Sequence, residues 1–317
     1  MTERLAPGIM ADAPGRRWSR GTKNAAKRRE AGVAALFLTP WMLGLVLLTL
    51  GPMLYSLYLA FTDYDLLSPP RWVGLDNFTA MASDPRFLAS AGVTFAYVAV
   101  SVPLLLVISM LVALLLNTKM RFLTGYRALF YLPSLLGASV AIAALWRQVF
   151  GDEGLLNAAL AIFGIEHGSW VGDPSTALGT IVVLSVWAFG STMIIFLAGL
   201  RQVPSELYEA AAVDGAGRIR RFFSITVPML TPLIFFNALM GTINAFQAFT
   251  GAYVISGGTG GPVNSTLFYT LYLYQRGFAQ LDMGYASAMA WLLVLVLAVF
   301  TALFFWSARY WVFYGDK

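Results

Sequence analysis

EAAAVDGAGRIRRFFSITVP, residues 209–228, is a polar and basic stretch between two apolar segments that are each long enough to cross a bilayer. Three small alanines follow Glu209, so another surface can approach this part of the chain closely. Asp214-Gly215 then interrupts the helical pattern, and glycine permits a turn that a residue with a Cβ resists. The stretch therefore predicts two short helices and a turn that dock onto something outside the membrane.

The two short helices have predictable limits. The first is expected over 206–213, with Ser205 as its N-cap, and the second over 216–224, with Asp214 as its N-cap. On the second helix, side chains at i, i+3 and i+4 lie together, and these are Arg218, Arg221 and Phe222. Pro228 is expected to end this helix and to start the next membrane span. A helix pair that lies on lipid headgroups would show the same spacing, so the pattern alone does not distinguish docking from membrane binding.

The composition predicts an all-α polytopic membrane protein. Of the 317 residues, 58% are hydrophobic and 12% are charged, and the mean hydropathy is +0.70. A soluble domain has about twice that charged fraction. Six windows are long and apolar enough to cross a bilayer, which takes about 20 residues each. Cysteine is absent and His167 is the one histidine, so no disulfide, thiolate metal site or histidine metal cluster is expected.

The apolar windows divide the chain into two tails, an external segment and six transmembrane helices. The predicted domains are a basic cytoplasmic tail over 1–30, a first transmembrane helix over 31–62, an external segment with short helices over 63–91, a core domain over 92–308 and a short cytoplasmic tail over 309–317. The other five spans are expected over 92–117, 128–146, 177–200, 229–255 and 283–308. The loop 201–228 precedes the fifth span. Asp84-Pro85 has the signature of an N-cap followed by proline in the first helical turn.

Lysine and arginine are distributed unequally across these six predicted spans. Of the 21 such residues, 17 lie on the side of the two termini and the loop 201–228, and 4 lie on the opposite side. The positive-inside rule therefore places both termini and this loop in the cytoplasm. Basic residues beside a first span set its orientation more often than they bind nucleic acid, so membrane lipid is an expected partner and nucleic acid is not.

The six predicted spans contain no Asp, Glu, Lys, Arg or His. Proton-coupled carriers depend on such groups, so proton coupling is not expected, although sodium coupling through carbonyls and hydroxyls remains open. The chain has no GxxxxGK[ST] sequence, so it is not expected to bind ATP through that motif. No catalytic residue and no metal site are therefore predicted for this chain.

The loop 201–228 resembles the EAA loop of ABC importer permeases. That motif is EAA, three residues, G, nine residues and I-x-L-P, and the matching residues are Glu209, Ala210, Ala211, Gly215, Ile225 and Pro228. Val227 replaces the usual leucine. Segments 73–78, 84–87, 260–262 and 284–288 resemble the carbohydrate-type branch of that family, which includes the maltose and glycerol-phosphate importers.

The resemblance implies a type I ABC importer permease fold in a bacterial or archaeal cytoplasmic membrane, with 92–308 as the core permease domain. It implies a second homologous permease, two cytoplasmic ATPase subunits that hold ATP and Mg, and an extracytoplasmic solute-binding protein. This chain itself would bind no cofactor. The residues assigned to ATPase coupling are Glu209, Ala210, Ala211, Asp214, Gly215, Arg218, Arg221, Phe222 and Pro228. Closure of the ATPases would move the permeases between inward-open and outward-open states.

The resemblance also implies a mono- or oligosaccharide as the cargo. Glycerol phosphate or an amino sugar carried by the same machinery is one alternative, and a sodium-coupled carrier that works alone is another. Polar residues of the fifth span that could line the path are Asn237, Asn244, Gln247 and Thr250. Amides in a span are costly unless they have partners or line a wet cavity, so these residues line a path or pack against another helix. Trp187 and Ser191 in the fourth span are further candidates, and the tryptophan ring could stack on a sugar or pack in the core.

Overall fold

The computed structural model describes residues 33–118, 122–137, 139–165 and 168–313. The tail predicted over 1–30 and His167 lie outside the described residues. Clustering of contacts divides the chain into two units, Met1–Ser56 and Leu57–Lys317. The larger unit contains both candidate functional regions.

Helices make up nearly all of the regular structure. In chain order they are α1 (Val33–Leu59), α2 (Asp76–Ser83), α3 (Pro85–Leu116), α4 (Leu123–Leu136), α5 (Val140–Val149), α6 (Leu155–Ala161), α7 (Ala177–Trp187), α8 (Gly190–Leu200), α9 (Ser205–Val213), α10 (Arg218–Arg221), α11 (Val227–Phe246), α12 (Thr250–Ile255), α13 (Tyr269–Tyr274) and α14 (Met283–Trp311). Two short strands, β1 (Thr62–Asp63) and β2 (Arg71–Trp72), pair antiparallel. Apart from this small hairpin, the described residues confirm the predicted all-α fold.

Four helical stretches are long and apolar enough to cross a membrane, namely Val33–Leu59, Pro85–Leu116, Arg218–Ile255 and Met283–Trp311. Two bent pairs, α4 with α5 and α7 with α8, bring the number to six if each pair forms one span. The described part of the chain therefore supports a polytopic membrane protein with four to six spans.

The predicted third and fourth spans are not single straight helices. α4 and α5 meet at 100°, and α7 and α8 meet at 46°. Glycines at the breaks allow the two pairs to touch. A Cβ at Gly137 would lie 2.7 Å from the Cβ of Ala188, and a Cβ at Gly190 would lie 2.6 Å from the carbonyl oxygen of Phe130. The bends thus accompany a close approach between helices that are distant in the chain.

The second predicted span starts earlier than expected. The sequence places its start near residue 92, whereas α3 begins at Pro85. Asp84 is the N-cap, as predicted, because its Oδ1 accepts a hydrogen bond from the backbone N–H of Arg86 at 2.9 Å. Phe87 and Ser90 in the first turns are buried. The beginning of α3 is therefore continuous with the rest of this helix and packs into the bundle.

The apolar core surrounds α3, which packs against α7, α8, α11 and α13. One cluster of buried side chains includes Tyr97, Leu184, Phe246 and Phe268. A second cluster includes Met110, Phe196 and Leu230, and Phe222 packs against it. This last contact attaches the loop 201–228 to the bundle.

Candidate functional site

The first short helix of the loop 201–228 ends at the predicted residue, Val213, but begins one residue earlier than expected. Ser205 is the first residue of α9 rather than its N-cap, and no side chain caps this helix end. Asp214 is the C-cap of α9, and Gly217 is the N-cap of α10, so the prediction that Asp214 caps the second helix is wrong. Gly215 has φ +76°, and Ala216 donates its backbone N–H to the carbonyl oxygen of Ala211 at 2.9 Å. A left-handed glycine with this backward bond is a common helix ending, and it makes the turn tight.

The second short helix does not end at Pro228, contrary to the prediction. α10 continues through a π-helical segment, Phe222–Thr226, directly into α11. Proline lacks an N–H and its ring excludes the carbonyl of the preceding turn, so an ordinary α-helix would lose a bond here. A wider π turn just before Pro228 accommodates the ring without breaking the helix. The loop is consequently joined rigidly to the fifth apolar helix.

The structure brings together the basic and aromatic residues that the spacing grouped. Arg218, Arg221 and Phe222 line a groove of about 420 Å³ beside the ends of α3 and α8. The hydroxyl groups of Tyr208 and Thr226 are 2.8 Å apart and form a hydrogen bond across this groove. That bond connects α9 to the π segment.

The opposite side of the loop is open to solvent. Glu209, Ala210, Asp214 and Gly215 are exposed, and Ala211 is half-buried. Large apolar side chains are exposed beside them, with fractions of 89% for Val213, 77% for Ile219 and 65% for Phe223. Apolar groups exposed in this density next to a polar rim are typical of a surface that binds a protein or a membrane.

A cavity of about 320 Å³ lies between α3, α7, α8 and α11. Its polar lining residues are Tyr97, Ser101, Ser185, Ser191, Thr192, Asn237 and Asn244. All the residues that line it are uncharged. Ser101 is only 2% exposed, and its Oγ has no hydrogen-bond partner among the described residues. The cavity therefore offers hydroxyl and amide groups without a net charge.

The cavity contains half of the residues predicted for the path. Asn237, Asn244 and Ser191 line it, and the Asn237 amide donates to the carbonyl oxygen of Leu233 at 2.8 Å. The other three candidates lie elsewhere and are Gln247, Thr250 and Trp187. Gln247 is the exposed C-cap of α11, and Thr250 begins α12.

Trp187, the third candidate outside the cavity, is part of the packed core. The Trp187 ring lies 5.4 Å from that of Trp146, measured between centroids, and Trp146 donates its Nε1–H to the carbonyl oxygen of Thr180. Sequence reasoning did not identify Tyr97, Ser101 or Ser185 as cavity residues. Their only signal is that they are polar residues inside apolar helices, and many such residues merely bond to their own backbone.

A polar network connects the beginnings of α3 and α14 with α13. Oδ2 of Asp84 accepts hydrogen bonds from the hydroxyl groups of Tyr272 at 2.5 Å and Tyr285 at 2.9 Å. Arg86 donates to the side-chain oxygen of Gln275 at 2.8 Å. The sequence identified Asp84 as a helix cap but not as the centre of this network.

The ionisation of Asp84 and Tyr272 follows from their contact. Burial raises the pKa of the Asp84 carboxyl, but hydrogen bonds from Tyr272, Tyr285 and nearby backbone N–H groups outweigh burial, so this pKa lies below its ordinary value. Burial, together with the bond to Asp84, raises the pKa of Tyr272 to about 12. Asp84 is therefore charged and Tyr272 neutral near neutral pH, which makes the bond between them charge-assisted.

Comparison with known proteins supports the interpretation of the loop. The family described as "Binding-protein-dependent transport system inner membrane component" matches residues 78–312. The probable ABC transporter permease protein YesP of Bacillus subtilis is 48% identical over 297 residues, which cover 93% of this chain and 96% of that protein. The lactose transport system permease protein LacF of Rhizobium radiobacter is 33% identical over 280 residues, which cover 86% of this chain and 93% of that protein.

The fold is also similar to that of solved structures. A chain of a bacterial alginate ABC transporter, solved in complex with an alginate pentasaccharide-bound periplasmic protein, matches with a TM-score of 0.77 at 20% identity. The match covers 90% of this chain and 96% of that chain. The helix bundle, the loop and these similarities together show that the chain belongs to the family of binding-protein-dependent transport system inner membrane components, the permeases of ABC importers.

Proposed function

We propose that this chain forms the translocation path for a mono- or oligosaccharide in an ATP-driven importer that works by alternating access. The uncharged cavity supports this cargo, because hydroxyl and amide groups complement sugar hydroxyls. The lactose permease among the relatives supports the same class of cargo. A phosphorylated cargo such as glycerol phosphate would need a basic residue, and none lines the cavity. Membership of the family argues against a sodium-coupled carrier that works alone.

The proposed topology has six spans, with both termini and the loop 201–228 in the cytoplasm of a bacterium or archaeon. It treats each of the two bent pairs as one span. The unequal distribution of lysine and arginine, 17 on one side and 4 on the other, supports this orientation. It places the exposed loop where ATPase subunits could reach it.

The proposed assembly contains a second homologous permease, two ATPase subunits that bind ATP and Mg, and an extracytoplasmic solute-binding protein. In this assembly the exposed surface around Glu209 and Gly215 docks into an ATPase subunit. Exposed Ile219 and Phe223 would be covered there, and Glu209 would meet a basic residue. The single observation that carries the proposal is this rigid loop, joined through the π segment to a helix that lines the cavity.

Coupling can be tested with matched glycine variants in the assembled transporter. Gly215→Trp is expected to lower ATP-driven uptake and to reduce co-purification of the ATPase, because an indole would fill the docking surface. Gly74→Trp is the control, since Gly74 also has a positive φ and, like Gly215, has no atom within 4 Å of a built Cβ. Retention of the ATPase and of full uptake by Gly215→Trp would refute docking at this loop.

The path can be tested with two exchanges on the same helix. Asn244→Leu is expected to reduce uptake of the transported sugar while the ATPase still co-purifies, because it removes an amide from the cavity. Gln247→Leu, three residues away and outside the cavity, should have a smaller effect. Full uptake by Asn244→Leu would show that the Asn244 amide serves helix packing rather than transport. Equal losses of uptake in both variants would indicate that the path extends to the end of α11.

A further inference from the structure

Arg127, near the beginning of α4, has a partly buried guanidinium group. Its Nε and Nη2 atoms are shielded from solvent, and neither has a hydrogen-bond partner in the described part of the chain. Burial of a charged donor without an acceptor is costly, and native structures usually supply an acceptor from protein, water or a bound ion. We therefore expect these two Arg127 nitrogens to donate to an acceptor that is not part of the described chain.

A second arginine, Arg201, lies at the end of the helix that packs against α4. It follows the last residue of that helix, α8, so both arginines belong to the same pair of packed helices. In the ranges that the structure describes, the two ion pairs join Arg71 to Asp63 and Arg276 to Asp282. No described carboxylate thus neutralises Arg127 or Arg201. Two such guanidinium groups favour an anion with several acceptor oxygens, and phosphate has that chemistry.

The surroundings favour a phosphate that belongs to a lipid. α4 exposes a series of leucines, with exposed fractions of 63% for Leu129, 49% for Leu132 and 63% for Leu135. These side chains match the acyl region of a bilayer. In the proposed topology, on which this step rests, Arg127 and Arg201 lie at the cytoplasmic boundary, and basic sites between transmembrane helices there hold anionic headgroups.

We infer that Arg127 and Arg201 form a binding site for the phosphate of an anionic phospholipid. The site lies at the junction of α4 and α8 and is distinct from the sugar cavity and from the exposed docking surface. A bound headgroup would satisfy the buried donors of Arg127 and would hold the ends of the two helices together. Lipid composition would then influence the packing of the bent third span.

The site can be tested by native mass spectrometry of the purified full chain in a non-ionic detergent, titrated with phosphatidylglycerol. Arg127→Gln is expected to weaken binding about tenfold, because it removes charge-assisted hydrogen bonds. Arg127→Lys should keep most of the binding, which separates loss of charge from loss of folding. Arg309→Gln is the matched control, since the Arg309 guanidinium already lies over the rings of Trp306 and Tyr310 and should hold no lipid.

Three outcomes would overturn the inference. One is equal affinity of wild type and Arg127→Gln for phosphatidylglycerol. Another is displacement of the lipid by inorganic phosphate, which would make the ligand a free anion. The third is a cross-link from Arg127→Cys to an ATPase subunit, which would make the acceptor a protein group. ATP-driven uptake by the wild-type assembly is measured in parallel. If the lipid site is refuted while this uptake is intact, the proposed transport function is unaffected.

Discussion

The network around Asp84 allows a quantitative test of the packing at the beginning of α3. Tyr272→Phe removes the hydroxyl group that donates to Asp84 and keeps the ring, whose centroid lies 5.2 Å from the Arg86 guanidinium carbon. A hydrogen bond to a charged group contributes about 1.5–3 kcal/mol. Asp84 keeps some contact with water and retains the bond from Tyr285. We therefore expect the variant to lose about 1.5 kcal/mol of unfolding free energy, the lower end of that range.

The loss should depend on pH in a direction that Asp84 determines. The pKa of Asp84 is lowered in the folded protein, so the ionised carboxylate stabilises the fold above the unfolded pKa, which is about 4. This contribution disappears as the pH falls through the lower, folded-state pKa. The difference in unfolding free energy between wild type and Tyr272→Phe should thus be complete at about pH 7 and smaller at about pH 3.

The measurement is denaturant unfolding in detergent micelles, followed by tryptophan fluorescence. Tyr274→Phe is the control, because Tyr274 lies in the same helix and its ring packs on Phe249, Tyr253 and Phe278. Among the described residues, its hydroxyl group forms no hydrogen bond. Tyr274→Phe should change the unfolding free energy by less than about 0.5 kcal/mol. Equal losses in the two variants, or a Tyr272→Phe loss that is the same at both pH values, would refute the role of the Asp84 carboxylate.

Two further substitutions test the bundle in the same unfolding assay. Gly284→Val should lower the unfolding free energy by more than about 2 kcal/mol, because a Cβ at this position would overlap the carbonyl oxygen of Thr62. That oxygen accepts a hydrogen bond from the Asn77 amide. An unchanged denaturation midpoint would contradict this contact. Ser101→Ala should be neutral or stabilising by up to about 1 kcal/mol, because it removes a buried hydroxyl group without a partner in the described structure. A clear loss of stability in Ser101→Ala would show that the hydroxyl group has a partner in the free protein.

Much of the loop 201–228 could be predicted from its sequence. The turn at Gly215 and the grouping of Arg218, Arg221 and Phe222 depend on residues within a few positions of one another, so local spacing describes them well. The two predicted caps, Ser205 and Asp214, were wrong because the helices begin after Pro204 and Gly217, and neither helix start has a side-chain cap. Where a helix begins depends on the folded loop and not only on which nearby residues are able to cap.

The candidate path was predicted less completely for a different reason. Asn237 and Asn244 share a strip of one helix, and helical periodicity alone places them together. Tyr97 and Ser191 come from α3 and α8, and nothing in the local sequence indicates that they face the same cavity. Gln247 flanks this strip and lies beyond the cavity, at the end of α11.

From the sequence alone, we predicted a helical membrane protein, a basic loop over 201–228 and a helix cap at Asp84. Those properties arise from composition, from helical periodicity and from contacts between residues close in the chain. The tertiary structure was needed to see the bends at Gly137 and Gly190, the shape of the cavity and the hydrogen bonds that Asp84 accepts from Tyr272 and Tyr285, which are 188 and 201 residues away. Such contacts depend on how whole helices pack, and packing is set by close approach between distant segments rather than by local pattern.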